Sequence, residues 1–465
     1  MGAKTTIQIA EWVCKTNYDS FGLSSSEMSY VKGLALSYVG QALAGSTMPF
    51  GKLVTKHVKD YGCPAEAGVI GAGFRTLTEY AALANGATSH TTELEDNSFP
   101  ESIYTCGAWP TAFALGEKLK LSGRAVLEAF VIGWEVAARL AIVAVEAYYK
   151  GWATFAIFLS VGNAAMAAKL LKLNVEQTAS AMSLAASQAA GMGRQTGTGA
   201  HLIEAGFAGR NGILAAMLAK RGYTGNPTIF EGHAGLMDLL AGQPDFDLPL
   251  GDGWRVLEIG IKKYPCCWFN HLGIDTVLDL IAEHNIAWDN VESVEHAVNK
   301  TLPMYLKYPQ PKTGEDARFS LEHCTVCCFF EKQVFLDSFT DEKARDPRFV
   351  EARRKVKLTV HPEYPAGCID WHGPVTIRLK DGTVWKKVRT SIKGDATDKL
   401  TPNEVMKKYM DCLDYAGILS REWAEKVAEM TLALDKVKDV SKLTSILNFP
   451  EKSKNKVKPN KKGTK

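Results

Sequence analysis

The chain has 465 residues, of which 46% are hydrophobic and 23% charged, and a formal net charge of +3. That length exceeds one ordinary hydrophobic core, so two domains are expected. So small a charge excludes a general affinity for nucleic acid or for an anionic membrane.

The segment Met1 to Asp19 has no continuous apolar core of the signal-peptide kind. No apolar run is long enough to span a bilayer. A soluble, cytoplasmic protein is expected. The start Met1-Gly2-Ala3-Lys4-Thr5-Thr6 formally fits the myristoylation pattern, and is read as coincidence. There are ten cysteines, and Cys266-Cys267 and Cys327-Cys328 sit in apolar surroundings. That setting suits reduced, buried thiols rather than a disulfide framework.

From about Ser24 to Gly222 the pattern is helix after helix. Val31, Leu34, Ala35, Tyr38 and Val39 recur at helical spacing. Arg124 to Tyr149 is apolar on most faces, and Val161 to Leu173 and Val175 to Met192 are rich in alanine. Small residues let helices approach closely, which predicts a tight bundle. Lys172-Leu173-Asn174 marks the break between the last two helices.

After Gly251 the period changes. Val294, His296 and Val298 alternate with other residues, as do Val356, Leu358 and Val360, and Val375, Ile377 and Leu379. These are strand patterns, and Asp381-Gly382 is a hairpin signal. Gly273 to His284 and Arg318 to Phe335 read as helices between the strands. Helical signal returns from Asn403 to Leu447. The expected fold is mainly α: a large all-helical bundle over 1–250 and 398–450, with a smaller α+β lid domain, 251–397, inserted into it. The lysine-rich stretch 451–465 reads as a disordered tail.

Four stretches have the composition for chemistry. In the first, His90 is followed by Glu93, Glu95, Asp96 and Asn97, with Tyr104 downstream. If that stretch is helical, Glu93 and Asp96 share a face at i,i+3. Close carboxylates raise one another's pKa toward the range useful for acid–base work. Taken alone, the stretch reads equally as a solvated acidic helix end. In the second, a glycine-rich loop, Gly197-Thr-Gly199, opens a segment carrying His201 and Arg210. Loop amides and a helix N-terminus can bind a carboxylate, and His201 can serve as a base. A glycine-punctuated helix start with a polar histidine is the plain alternative.

The third stretch is Lys262-Lys263-Tyr264-Pro265, leading into Cys266-Cys267 and His271. A lysine held among apolar groups has a lowered pKa and can bind or deprotonate an acid; an exposed lysine pair before a buried helix reads as well. The fourth, His323-Cys324-Thr-Val-Cys327-Cys328, contains a C-x-x-C without a second copy, inside a helical apolar run. It is read as buried helix thiols. No metal and no organic cofactor is expected.

Together these stretches resemble the MmgE/PrpD family. The matching blocks are Ala81 to Ala87 before His90 and the acidic run, Phe130 to Val136 before Arg139, Gly206 to Gly212, Ile261 to Pro265, and Gly314 to Ser320. The resemblance covers nearly the whole chain to about Pro450. It implies an all-helical domain with an inserted α/β lid, a homodimer, no cofactor, and a site between bundle and lid acting on a small carboxylic acid. The chain departs from the family at several positions. The usual His-x-x-Asp-Phe-Asp-Asp-Thr is here His90-Thr-Thr-Glu93-Leu94-Glu95-Asp96-Asn97. Tyr104 stands in a histidine segment, Ala153 replaces a second histidine, and His201 replaces a lysine, while Lys262 is kept. Losing those groups argues for a less charged acid than a tricarboxylate, or for a different reaction at the same α-carbon.

The expected activity is that of a lyase, a dehydratase or decarboxylase, working by proton abstraction next to a carboxylate or carbonyl. An epimerase on the same scaffold and an inactive homologue with a binding role are the alternatives. His201, Lys262, Glu93, Asp96 and Tyr104 are the expected catalytic set. His90, Asn97, Ala153, Arg210, Lys263, Tyr264 and His271 are expected around the substrate.

Overall fold

The computed structural model describes residues 5–365 and 373–448. The Gly2 pattern and the basic tail lie outside the described residues. The described chain is mainly helical and divides into two compact units. One comprises Met1–Gln195, Gly199–Ile261 and Thr401–Lys465; the other comprises Thr196–Thr198 and Lys262–Leu400.

The first unit opens with α1 (Thr5–Lys15), α2 (Ser25–Gly45), α3 (Pro49–Asp60), the short pair β1 (Ala67–Gly68) and β2 (Arg75–Thr76), and α4 (Thr78–His90). A second short pair follows, β3 (Asn97–Ser98) and β4 (Ile103–Tyr104). Then come α5 (Trp109–Lys118), α6 (Gly123–Val143), α7 (Val145–Tyr149), α8 (Thr154–Leu170), α9 (Val175–Ala186), α10 (Gly199–Lys220) and α11 (Leu236–Ala241).

The boundaries show local chemistry at work. The expected helix from Arg124 to Tyr149 is two, because Ala144 leaves helical geometry between α6 and α7. The break at Lys172 to Asn174 is present: Lys172 takes a positive φ of 55°, and the Asn174 side chain caps α9 through the Gln177 amide. The helix before it starts earlier than its alanine run suggests, at Thr154, and the one after it stops at Ala186 rather than Met192.

Helix α10 packs on both α4 and α8, and α6 packs on α8. Glycines set the spacing at two crossings. A Cβ on Gly206 of α10 would lie 2.2 Å from the Leu83 carbonyl oxygen of α4, and one on Gly86 would lie 2.9 Å from Gly206 Cα. At the α6–α8 crossing, Gly133 and Gly162 meet in the same way, each Cβ falling within 2.6 Å of the other's carbonyl oxygen. Backbone cannot yield as a side chain can. Gly206→Ala is therefore expected to cost about 2 kcal/mol or more, from overpacking. Gly209→Ala, whose Cβ would meet Thr111 Oγ1 at 3.3 Å, should cost less. Urea midpoints of the two variants check this order.

The second unit contains α12 (His271–His284), β5 (Val291–Val298), α13 (Leu302–Tyr305), α14 (Gly314–Ala317), α15 (Leu321–Phe330), α16 (Asp341–Arg345), α17 (Pro347–Arg353), β6 (Val356–Val360), β7 (Val375–Leu379) and β8 (Val384–Lys387). Its sheet runs β6-β5-β7-β8, with β5 and β6 parallel and the other pairs antiparallel. Val294 lies opposite Val356 and Ile377, so the alternating residues meet on one face. The β7–β8 hairpin turns at Gly382, φ 88°. The helix expected over Arg318 to Phe335 is shorter, because the Ser320 hydroxyl caps its start and Lys332 takes a positive φ beyond its end. Cys266, Cys324, Cys327 and Cys328 are part of the apolar core with Ile274, Val277, Phe349 and Ile377. Burial pushes the thiols of Cys324, Cys327 and Cys328 well up.

The chain then returns to the first unit with α18 (Pro402–Ala416), α19 (Arg421–Leu432) and α20 (Ser441–Leu447). Helix α18 packs closely on α2, where a Cβ on Gly40 would lie 3.2 Å from Tyr409 Cα. Among the described residues, no helix is long and apolar enough to cross a membrane.

Candidate functional site

Helix α4 ends at His90 because the next hydroxyls turn back on it. Thr91 Oγ1 donates to the Ala87 carbonyl at 2.9 Å and Thr92 Oγ1 to that of Ser89 at 2.8 Å. Glu93 then takes a left-handed conformation, φ 53°. The chain has left the helix before the acidic run begins, which corrects the expectation that Glu93 and Asp96 share a helical face. The two carboxylates take different places. Asp96 is fully buried and accepts from Lys408 Nζ at 2.9 Å, Ser37 Oγ at 2.9 Å and Gln41 Nε2 at 3.4 Å. Burial raises its pKa, the Lys408 charge and the hydrogen bonds from Lys408 and Ser37 lower it, and Glu95 raises it again; the net shift is upward. Lys408 also donates to the Leu94 carbonyl at 2.9 Å. Asp96 therefore anchors the loop through α2 and α18.

Glu93 stays with His90 and His201. His201, on the first turn of α10, has its Nε2 4.0 Å from Glu93 Oε1 and its Nδ1 3.6 Å from Glu204 Oε2, one turn further along the same helix. All four side chains are buried. The rings of His90 and His201 meet edge to face at 4.7 Å between centroids. Tyr104 from β4 and Phe155 from α8 complete the cluster. They stack at 4.5 Å, with Phe155 5.4 Å from His201 and Tyr104 5.7 Å from His90. His90, Glu93 and His201 each offer a metal-ligating atom within 4.8 Å of the others'.

The loop carrying Asn97 and Tyr104 is clamped. Asn97 pairs across the β3–β4 ribbon with Tyr104, and its backbone exchanges two hydrogen bonds with Gly260, at 2.9 and 2.7 Å. Glu101, fully buried, accepts from Arg255 Nη2 at 2.8 Å and from Ser98 Oγ at 2.6 Å. Thr154, at the start of α8, donates its hydroxyl to the Glu101 carbonyl at 2.9 Å. The Tyr104 hydroxyl lies 3.2 Å from Ser102 Oγ.

Ala153 is the N-cap residue of α8, two residues before Phe155, and its amide donates to Gly191. Arg210 is not brought to this cluster: it lies nine residues along α10 from His201, roughly 13 Å of helix rise. Its guanidinium bonds the Asn211 side chain at 2.9 Å and covers the Phe207 ring at 5.1 Å. The remaining four belong to the second unit. There Lys262 is buried, and Tyr264 donates to Asp275 Oδ1 at 2.7 Å, with Lys263 Nζ 3.5 Å from the same oxygen. Burial and the Asp275 charge push the Tyr264 phenol far up. His271 packs between Tyr264 and Trp268, at 5.1 and 4.9 Å.

Three residues of the first-unit site escape a reading of the sequence. Glu204 carries a usable signal, its i,i+3 spacing from His201. Phe155 is lost in an apolar run. Lys408 follows Lys407 in a helix that looks solvated on that side, and nothing local marks it as buried.

Residues 7–249 match the MmgE/PrpD N-terminal domain and residues 264–436 the MmgE/PrpD C-terminal domain. The chain is 26% identical over 438 residues to the cis-aconitate decarboxylase of Mus musculus, covering 90% of this chain and 88% of that one. It is 24% identical over 481 residues to the cis-aconitate decarboxylase of Aspergillus terreus, covering 96% of each, and 25% identical over 437 residues to that of Homo sapiens, covering 90% of each. With both domains matched in order along one chain, this protein belongs to the MmgE/PrpD family.

Proposed function

We infer that this chain is a lyase that acts on a small carboxylic acid, with His201 as the group that takes and returns the proton. The observation that carries the reading is the placement of His201 between two buried carboxylates, Glu93 on Nε2 and Glu204 on Nδ1. Glu204 orients the ring and offsets the charge of the imidazolium that forms when Nε2 takes a proton. Glu93 faces the reacting nitrogen. The Tyr104 hydroxyl is the proposed second proton donor, and the rings of Tyr104 and Phe155 keep water from the reacting carbon.

The relatives favour loss of CO2 as the outcome. In that step the bond between carbon and the carboxylate breaks, its electron pair stays on carbon, and a proton from the His201 imidazolium or from Tyr104 ends on that carbon. In a dehydration His201 would instead take the α-proton, and the pair left on carbon would expel the β-hydroxyl, which leaves as water with a proton from Tyr104. An imidazole in place of the family's lysine favours a substrate with fewer charges than a tricarboxylate.

The test is proton NMR of the purified protein in D2O with a panel of mono-, di- and tricarboxylates. Deuterium entering a carbon next to a carboxylate, with loss of CO2 or a new olefin, is the expected result. His201→Ala should slow it by roughly 10²- to 10⁴-fold, the usual range for a general acid–base residue. Unchanged turnover in that variant would sink the mechanism.

A further inference from the structure

The cluster of His90, Glu93 and His201 has the composition of a metal centre as well as of a proton-transfer site. Two imidazoles and one carboxylate form the three-ligand set that holds zinc with an open fourth position. All three are at most 5% exposed, and one ligating atom from each lies within 4.8 Å of the others. Around a tetrahedral ion with bonds of 2.0–2.2 Å, such atoms stand roughly 3.4 Å apart. His201 Nε2 and Glu93 Oε1 are at 4.0 Å, so side-chain rotations bring that pair into range. Glu204 supplies what a metal-bound histidine needs beyond its ligand bond: a carboxylate 3.6 Å from Nδ1, on the side of the ring away from Glu93. A side-chain rotation that brings Glu204 within hydrogen-bond distance of Nδ1 would hold the proton there and leave the Nε2 lone pair facing the ion.

The competing candidate, Cys324 and Cys327, is poorer. Those thiols are packed among apolar side chains, and burial keeps them protonated, whereas a metal needs thiolates.

The geometry points to capture of a divalent transition-metal ion of the zinc class by His90, Glu93 and His201, and to inhibition of the enzyme by that capture. The inhibitory half rests on the reading of His201 as the proton-transferring group. A metal bonded to Nε2 occupies the lone pair through which that nitrogen takes up or delivers the proton, and it also takes the Glu93 carboxylate. Removal of the ion frees both.

The experiment is a titration of the EDTA-treated full-length protein with CoCl2, followed by its visible ligand-field absorption, with ZnCl2 as competitor. One equivalent should bind, displaced by zinc. Affinity should fall at least tenfold in His201→Ala and in Glu93→Gln, with melting curves confirming that both variants fold. The α-proton exchange of the metal-free enzyme should drop at least tenfold on loading with zinc and recover with EDTA. Absence of binding, or affinity unchanged in both variants, overturns the site. A thiolate charge-transfer band moves the metal to cysteine and also overturns it. Binding with undiminished exchange overturns the inhibition. Binding by a protein that exchanges no substrate upholds the site, removes its inhibitory role and rejects the proton-transfer reading.

Discussion

Lys408→Met is expected to destabilise the first unit by about 3–5 kcal/mol, the usual cost of breaking a buried ion pair from one side. Asp96 has no exposed surface, and its carboxylate would lose the ammonium 2.9 Å away while keeping only Ser37 and Gln41 as donors. Its pKa, already raised by burial, would rise further, because Lys408 is the largest influence holding it down. The change also removes the bond to the Leu94 carbonyl, between Glu93 and Asn97. Activity should therefore fall with stability, since the loop that presents Glu93 is tied down at its middle by this one ammonium. The double variant Lys408→Met, Asp96→Asn no longer buries an uncompensated charge, so it should lose clearly less than the two single changes summed. Urea unfolding of the four proteins measures the coupling. Additive losses would mean that the pair does not act as a pair.

Acid should unfold the second unit through two buried histidines. Burial alone drives the pKa of His296 down to about 3. His323 falls to about 4, again chiefly by burial, with the Ser338 carbonyl raising it and the Arg353 and Lys343 charges lowering it. The hydrogen bonds agree. His323 Nε2 donates to Ser338 O at 2.9 Å and Nδ1 accepts from Arg353 Nη1 at 3.1 Å, which fixes a neutral ring; His296 Nε2 lies 2.9 Å from Thr325 Oγ1. In the unfolded chain both protonate near pH 6.5. Below that value the unfolded state binds protons that the folded state refuses, so stability falls as pH drops, and the loss levels off near pH 3–4. By pH 5 each histidine should cost about 2 kcal/mol relative to pH 8. The buried Glu322 carboxyl, whose pKa burial raises, acts in the opposite direction, so the comparison must be differential. Melting curves at pH 8 and pH 5 should show His296→Asn losing about 2 kcal/mol less than the parent chain. Equal acid sensitivity would remove His296 from the account.

Several features of this protein are set by local sequence, because they depend on repeats of the backbone itself. Helical spacing of apolar residues, the capping chemistry of Asn174, the alternation in Val294 to Val298 and the Asp381-Gly382 turn each act over a few residues, and each element forms where its pattern lies. The MmgE/PrpD blocks are likewise legible in chain order, and both domain matches accord with them. The roles of the carboxylates are another matter. Glu93 and Asp96 are neighbours of the same charge in the sequence. Only the fold assigns one to His201 and the other to a lysine 312 residues away. A buried charge takes its function from whichever partner the packing brings within about 4 Å, where a low dielectric makes the interaction strong. No local period encodes that partner. The same holds for the ring of Phe155 against Tyr104 and His201, which an apolar helix supplies without any mark of its own. Thus the sequence alone determines roughly where the helices and strands lie and to which family the chain belongs, while tertiary packing decides which acid faces His201 and which holds the loop in place.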